Sequence, residues 1–148
     1  MKSTRLISLV VLLLALATGI AFAASASSHA KLKTKKTSLG RIVVNSHRMT
    51  LYLFLKDHRH GSHCYKACAQ VWPPLLTHGK PRAGRGIKAS LLGTTKRKNG
   101  KLQVTYARHP LYRYVQDTRP GQTTGEGSNL FGAKWYVVSP SGKKIDND

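Results

Sequence analysis

The chain is short of negative charge. It carries five carboxylates, Asp57, Asp117, Glu126, Asp146 and Asp148, against 25 lysines and arginines, for a formal charge of +20. With Asp146 and Asp148 in a polar tail, an acid-and-base pair for glycoside chemistry would have to come from Asp57, Asp117 and Glu126. Two isolated aspartates also supply too few oxygens for calcium. Asp57 and Asp117 each follow an expected strand, where a carboxylate accepts N–H groups of the coming turn. No serine-nucleophile signature is present, and Gly121-x3-Gly125-x-Gly127 lacks the lysine and strand-to-helix context of a phosphate loop. No residue is therefore assigned a catalytic role, and no cofactor is implied. Aromatic residues, at 7%, are not interleaved with the basic clusters. That argues against specific nucleic-acid binding by base stacking.

Long apolar runs are missing too. Leu6 to Ala17 is shorter than the about twenty residues a membrane helix needs. Lys2 and Arg5 precede it and Ala21-Phe22-Ala23 follows, so residues 1–23 read as a secretory signal peptide. No cysteine ends that segment, which predicts an extracytoplasmic protein with neither a lipid attachment nor a transmembrane anchor after cleavage. Loss of Lys2 and Arg5 leaves +18, enough to draw the protein to anionic cell-wall polymers or lipid headgroups. Residues 24–38, rich in Ser, Ala and Lys, predict a disordered basic leader. A single domain is expected over 39–140, with a polar tail at 141–148.

What the domain does have is an internal repeat. At an offset of sixty, eight of the twenty-two positions from 40 to 61 are identical, without a gap. The centre of the match is Tyr52-x-Phe54-x-x-Asp57, echoed by Tyr112-x-Tyr114-x-x-Asp117. The two copies occupy about 39–77 and 91–140. Gly40 to Asn45 and Met49 to Leu55 predict a hairpin whose second strand is apolar on both faces, hence central. Cys64 to Val71 predicts a short helix, capped by Ser62 and stopped by Pro73-Pro74, and His78 to Ala89 an exposed connector. Leu91–Lys96 and Lys101–Tyr106 flank Asn99-Gly100, a strong hairpin signal. Leu111–Val115 and Trp135–Ser139 complete the strands. The expected fold is mainly β, a β-rich α+β arrangement of two tandem antiparallel hairpin repeats sharing one core, with one short helix carrying a disulfide.

Beyond these motifs, Cys64-x3-Cys68-Ala69-x-x-Trp72-Pro73-Pro74-Leu75, Gln103-Val104-Thr105-Tyr106, Pro120-Gly121 and Trp135 make the chain resemble the secreted repeat family of unknown function, also described as predicted lipoproteins with a Tyr-x4-Asp motif. The resemblance implies extracytoplasmic placement and a duplicated architecture, and no activity.

Cys64 and Cys68 are the only cysteines. One helical turn apart, at about 6 Å between Cα atoms, they are within disulfide reach, and export favours oxidation. If they stayed reduced, His58, His60 and His63 beside them would offer imidazole and thiolate to copper or zinc, although Arg59 and Lys66 oppose a cation there. Tyr52, Phe54, Tyr112, Tyr114, Trp72 and Trp135 could line a ligand groove, but strand alternation favours a shared core. The resulting expectation is a secreted, non-enzymatic protein associated with the envelope or an anionic polymer through its basic surface. The alternative is a metal or redox accessory protein using the His/Cys loop.

Overall fold

The computed structural model describes residues 28–58 and 61–146, so the expected signal peptide lies outside the described residues. The fold is built mostly from strands. β1 (Lys31–Thr37) and β2 (Gly40–Asn45) form an antiparallel hairpin in register from Leu32 opposite Asn45 to Thr37 opposite Gly40. The turn is tight, and Gly40 takes a positive φ of 91° that a side chain would resist. The disordered leader expected over 24–38 is therefore corrected for residues 31–37. Composition misleads here because the lysines contribute backbone to the ladder, while Leu32 alone enters the core, fully buried.

The partner expected for β2 is corrected as well. Met49–Leu55 pairs with β2 only briefly, at the Val44–Thr50 bridge, where Asn45 N–H reaches the Met49 carbonyl at 3.0 Å and Leu51 N–H the Val43 carbonyl at 3.2 Å. Its ordered part, β3 (Tyr52–Phe54), pairs instead with β9 (Trp135–Val137), Phe54 opposite Trp135. As expected of a central strand, β3 is buried on both sides. Tyr52 and Phe54 enter one core with Ile42, Val44, Trp72, Tyr114 and Trp135. Leu51 and Leu53 enter a second with Leu32, Val43, Val104 and Tyr106. Leu55 is exposed, because the chain turns immediately after Phe54.

The second half holds the hairpin that Asn99-Gly100 predicts, β6 (Leu92–Lys96) against β7 (Leu102–Tyr106). β4 (Leu76–Thr77) and β8 (His109–Pro110) also pair with β7. Leu111–Val115 does not form the continuous strand expected; Tyr112 is held by single bridges to Tyr52 and Pro74. The connector is stitched down rather than free: β5 (Arg82–Ala83) runs parallel to β1, and Gly84 N–H reaches the Leu32 carbonyl at 2.7 Å. The tail also folds back in part, with Ile145 N–H on the Val137 carbonyl at 2.9 Å.

The helix is shorter than expected. α1 covers Ala67–Val71, so Cys64 precedes it, and Lys66 rather than Ser62 stands at its N-terminus, without a side-chain cap. Cys64 and Cys68 form a disulfide with Cα atoms 5.2 Å apart, which ties the incoming loop to the first turn. Closing so short a loop is worth about 2 kcal/mol. A Cys64→Ser/Cys68→Ser variant is expected to lose about that much in urea unfolding while keeping its β signal; an unchanged midpoint would mean that the loop holds its shape without the bond.

The repeats obey one internal rule. Leu51 N–H bonds Val43 O, Val43 N–H bonds Val138 O, and Val138 N–H bonds Leu51 O; the second copy repeats this ring with Leu111, Val104 and Leu75. Val43 thus corresponds to Val104, an offset of sixty-one, so the Val44–Val104 identity seen at sixty is not the structural equivalence. One extra residue in the β6–β7 turn shifts the register, which keeps the core-facing positions on their proper face.

Candidate functional site

The two Tyr-x4-Asp motifs meet back to back in the interior. Tyr52 N–H donates to Tyr112 O at 2.9 Å and Tyr112 N–H to Tyr52 O at 3.0 Å. Their side chains then cross: the Tyr52 hydroxyl donates to Asp117 Oδ2 and the Tyr112 hydroxyl to Asp57 Oδ2, each at 2.6 Å. Each aspartate also closes the loop that follows it, Asp57 Oδ1 accepting His63 N–H at 2.7 Å and Asp117 Oδ1 accepting Thr124 N–H at 3.0 Å. The turn bonds expected of these aspartates are present, with Thr124 Oγ1 also donating to Asp117 Oδ1 at 2.5 Å, and the second oxygen of each carboxylate reaches across to the other repeat. Burial, and then the neighbouring carboxylate, drives both tyrosine hydroxyls far above their ordinary titration range. Burial also raises the Asp57 carboxyl above 3.8, against the opposing bonds from Tyr112 and His63.

Around these pairs the aromatic residues form a core, not a groove. Phe54, Trp135, Trp72 and Tyr114 stack in that order with centroids 4.0, 4.0 and 4.2 Å apart. Tyr52 meets Trp72 edge-on at 5.2 Å, and Tyr112 meets Trp135 likewise at 5.1 Å. The stack exchanges partners just as the hydroxyls do: Phe54 of the first repeat lies on Trp135, and Tyr114 of the second on Trp72.

The two copies differ in what closes over them. On the Tyr112 side, Ser62 Oγ lies 2.7 Å from the hydroxyl and also accepts from Arg97 at 2.9 Å. Arg97 is buried and reaches Gln103 Oε1 at 2.6 Å and Cys64 O at 2.7 Å, with Tyr65 4.3 Å beneath its guanidinium. On the Tyr52 side the glycine loop takes that place. Gly125 N–H lies 3.3 Å from the hydroxyl, and a Cβ at Gly125 would come within 2.6 Å of Trp72. Sequence reasoning did not foresee Arg97, which sits in the Lys96-Arg97-Lys98 run and reads as solvated charge. Strand alternation was the available signal, because its neighbours Lys96 and Lys98 are both exposed.

The metal-ligand candidates are dispersed. Both sulfurs are spent in the disulfide. The exposed His58 and His63 rings meet edge-on at 4.9 Å, His63 Nδ1 is 3.9 Å from Asp57 Oδ1, and His60 lies outside the described residues. Among the described residues no group of three His, Cys, Asp or Glu is placed to hold a metal ion. A cavity of about 310 Å³ opens over Asp57, Ala107, Arg108 and His109, but there the Asp57 carboxylate is already bonded to Tyr112 and to His63 N–H.

A family model described as a secreted repeat of unknown function matches residues 33–76 and 93–139. The chain belongs to that family. The match starts inside β1 and again inside β6, so the β1–β2 hairpin is the counterpart of β6–β7, in keeping with the ring of bonds above. No curated protein and no solved structure matches the chain. Secretion of the family supports extracytoplasmic placement, and among the described residues no helix is long and apolar enough to cross a membrane.

Charge is sorted by depth. Asp57 and Asp117 are held inside by the tyrosines, Glu126 Oε2 accepts Val137 N–H at 2.6 Å, and Asp146 pairs with Lys144. Every carboxylate of the described residues is thus engaged within the chain. Of the lysines and arginines, Arg97 alone among the described residues is buried; most of the others are exposed.

Proposed function

We propose that this secreted repeat protein is a non-enzymatic module that associates with the cell envelope, or with an anionic polymer there, through its basic surface. The observation that carries the reading is the distribution of charge: among the described residues Asp57, Asp117 and Glu126 are bonded within the fold and Asp146 pairs with Lys144, while most lysines and arginines face outward. A field of one sign concentrates a polyanion and makes its binding sensitive to ionic strength. The two motif aspartates serve the core, which supports a structural role for the motif.

The experiment is sedimentation of the mature protein with isolated cell walls over a salt series. Binding is expected at low ionic strength, with release as the screening length shrinks from about 10 Å at 0.1 M to about 3 Å at 1 M. Binding that is absent at low salt, or indifferent to salt, overturns the reading. Copper or zinc handling through the His/Cys loop would first require reduction of the disulfide; thiol counting with elemental analysis of native material separates the two.

A further inference from the structure

Strand β1 carries a cationic feature that the fold does not demand. Lys31, Lys33 and Lys35 project to one side of the strand, with about 6.7 Å between successive side chains, twice the rise per residue. The sixty-residue offset puts Leu91, Gly93 and Thr95 at the same places in the second repeat. The same hairpin therefore forms without a single lysine there. Other cations of the repeat behave differently: Lys36 and Arg48 correspond to Lys96 and Arg108, so a basic residue stands in both copies.

The ladder is also built to hold its shape. Parallel pairing sets Arg82 of β5 beside Lys31. Gly84 lies close against the strand and its stems: a Cβ there would stand 2.6 Å from the Leu32 carbonyl oxygen, 2.9 Å from Lys33 Cγ and 3.3 Å from Lys31 Cε. Gly121, from the loop after Asp117, does the same for Lys35, whose Cδ would lie 3.0 Å from an added Cβ. Lys33 and Lys35 are accordingly half-buried along their stems, the usual posture of a lysine that covers apolar surface and keeps its ammonium in water. Stems already held lose less freedom when a ligand arrives. No acid lies anywhere in residues 1–56 or 58–116, so the sheet β2–β1–β5 contains none. Rings that meet cations lie elsewhere, Tyr65 under Arg97 and Lys98, and Tyr136 near Lys134 and Lys144.

We infer that Lys31, Lys33 and Lys35, flanked by Arg82, form the docking track for a flexible linear phosphodiester polymer of non-aromatic units. Alternate strand positions meet successive phosphates as point charges, and no Trp, Tyr or Phe ring of the described residues makes a cation–ring contact with Lys31, Lys33, Lys35 or Arg82 that could serve a stacked base. This rests on the polyanion-binding reading above and specifies where that binding occurs.

The test uses the mature protein and poly(glycerol phosphate), with affinity measured across a salt series. The variant K31Q/K33Q/K35Q is expected to bind on the order of 100-fold more weakly at low salt, and to flatten the slope of log affinity against log salt by about 2. A charge-matched control on exposed residues elsewhere, K98Q/K101Q/R113Q, is expected to lose no more than about fivefold, while K31R/K33R/K35R retains binding. Should the triple Gln variant fail to fold by circular dichroism, the three single Gln variants carry the test, each weaker by about fivefold with about 0.7 less slope. Equal losses in the two Gln triples would overturn the track while leaving general polyanion binding intact. Absence of wild-type binding at low salt would overturn that broader reading and the track with it. Tighter binding of single-stranded DNA than of the polyol phosphate would overturn the assigned partner.

Discussion

Trp72→Ala is expected to destabilise the protein by about 3–5 kcal/mol, the usual cost of emptying a large aromatic site, and to lower the thermal midpoint by on the order of 15 °C. Trp72 is fully buried between Trp135 and Tyr114, takes the edge of Tyr52, and lies against Gly125. Its loss would remove the ring through which the two halves of the stack communicate. The pair W72F and W135F sharpens the test. Trp135 Nε1 donates to Leu130 O at 2.9 Å, whereas Trp72 Nε1 is buried with no hydrogen-bond partner. W135F therefore strips a carbonyl of its donor, while W72F removes an N–H that has no bond to lose, so W135F is expected to cost about 1 kcal/mol more. Urea unfolding of the three variants checks this. A W72A midpoint within a few degrees of wild type would mean that the stack is not the centre of the core.

The second large effect concerns the crossed tyrosine–aspartate pairs. Tyr52→Phe and Asp117→Asn are each expected to cost about 2–3 kcal/mol, because each leaves a buried group without a charge-assisted bond. In a double-mutant cycle the pair should couple by about 1–3 kcal/mol, and Tyr112 with Asp57 likewise. Coupling within Tyr52–Asp117 and Tyr112–Asp57, rather than within each motif, is the signature of the exchange; stronger coupling of Tyr52 with Asp57 would contradict it. Asp57 adds a dependence on pH with an unusual sign. Its folded carboxyl holds the proton more tightly than the unfolded chain does, because burial opposes the charge. Between pH 3.8 and the raised folded value the native state thus binds more protons than the unfolded one. Its contribution is fully present below pH 3.8 and is lost as the pH rises through the folded value. Relative to Asp57→Asn, wild-type stability should therefore decline as the pH rises above 3.8. The opposite trend in parallel melts would overturn the assignment.

Several of these features were legible in the chain and others were not, for definite reasons. The Asn99-Gly100 turn and the alternation on either side of it identify β6–β7, since both signals are local. The two apolar faces of Leu51–Leu55 likewise announce a central strand. The pairing of β3 with β9 joins residues some eighty positions apart, and no local pattern encodes such a partner. β1 escaped notice because its lysines advertise solvent. Yet the repeat itself pointed to it, since shifting β6 back by sixty lands on residues 32–36, inside β1. The Tyr-x4-Asp spacing suggests an aspartate serving its own turn, and it does. That its second oxygen belongs to the other copy follows only from the two motifs lying back to back, which the spacing does not specify.

The pairing of Tyr52 with Val137 and of Phe54 with Trp135 bears on how the molecule comes to exist at all. Neither repeat completes its own strand pairing. The apolar strand at the centre of the first copy has its partner near the far end of the chain, so its stabilising contacts are out of reach until almost the whole sequence is present. Loop closure over such separations must precede any gain from packing, and topologies of this kind fold on the slow, millisecond-to-second side of the range for small domains. The duplication therefore did not join two self-sufficient halves. Each half supplies the strand the other lacks, so β3 gains its ladder only when residues 135–137 reach it.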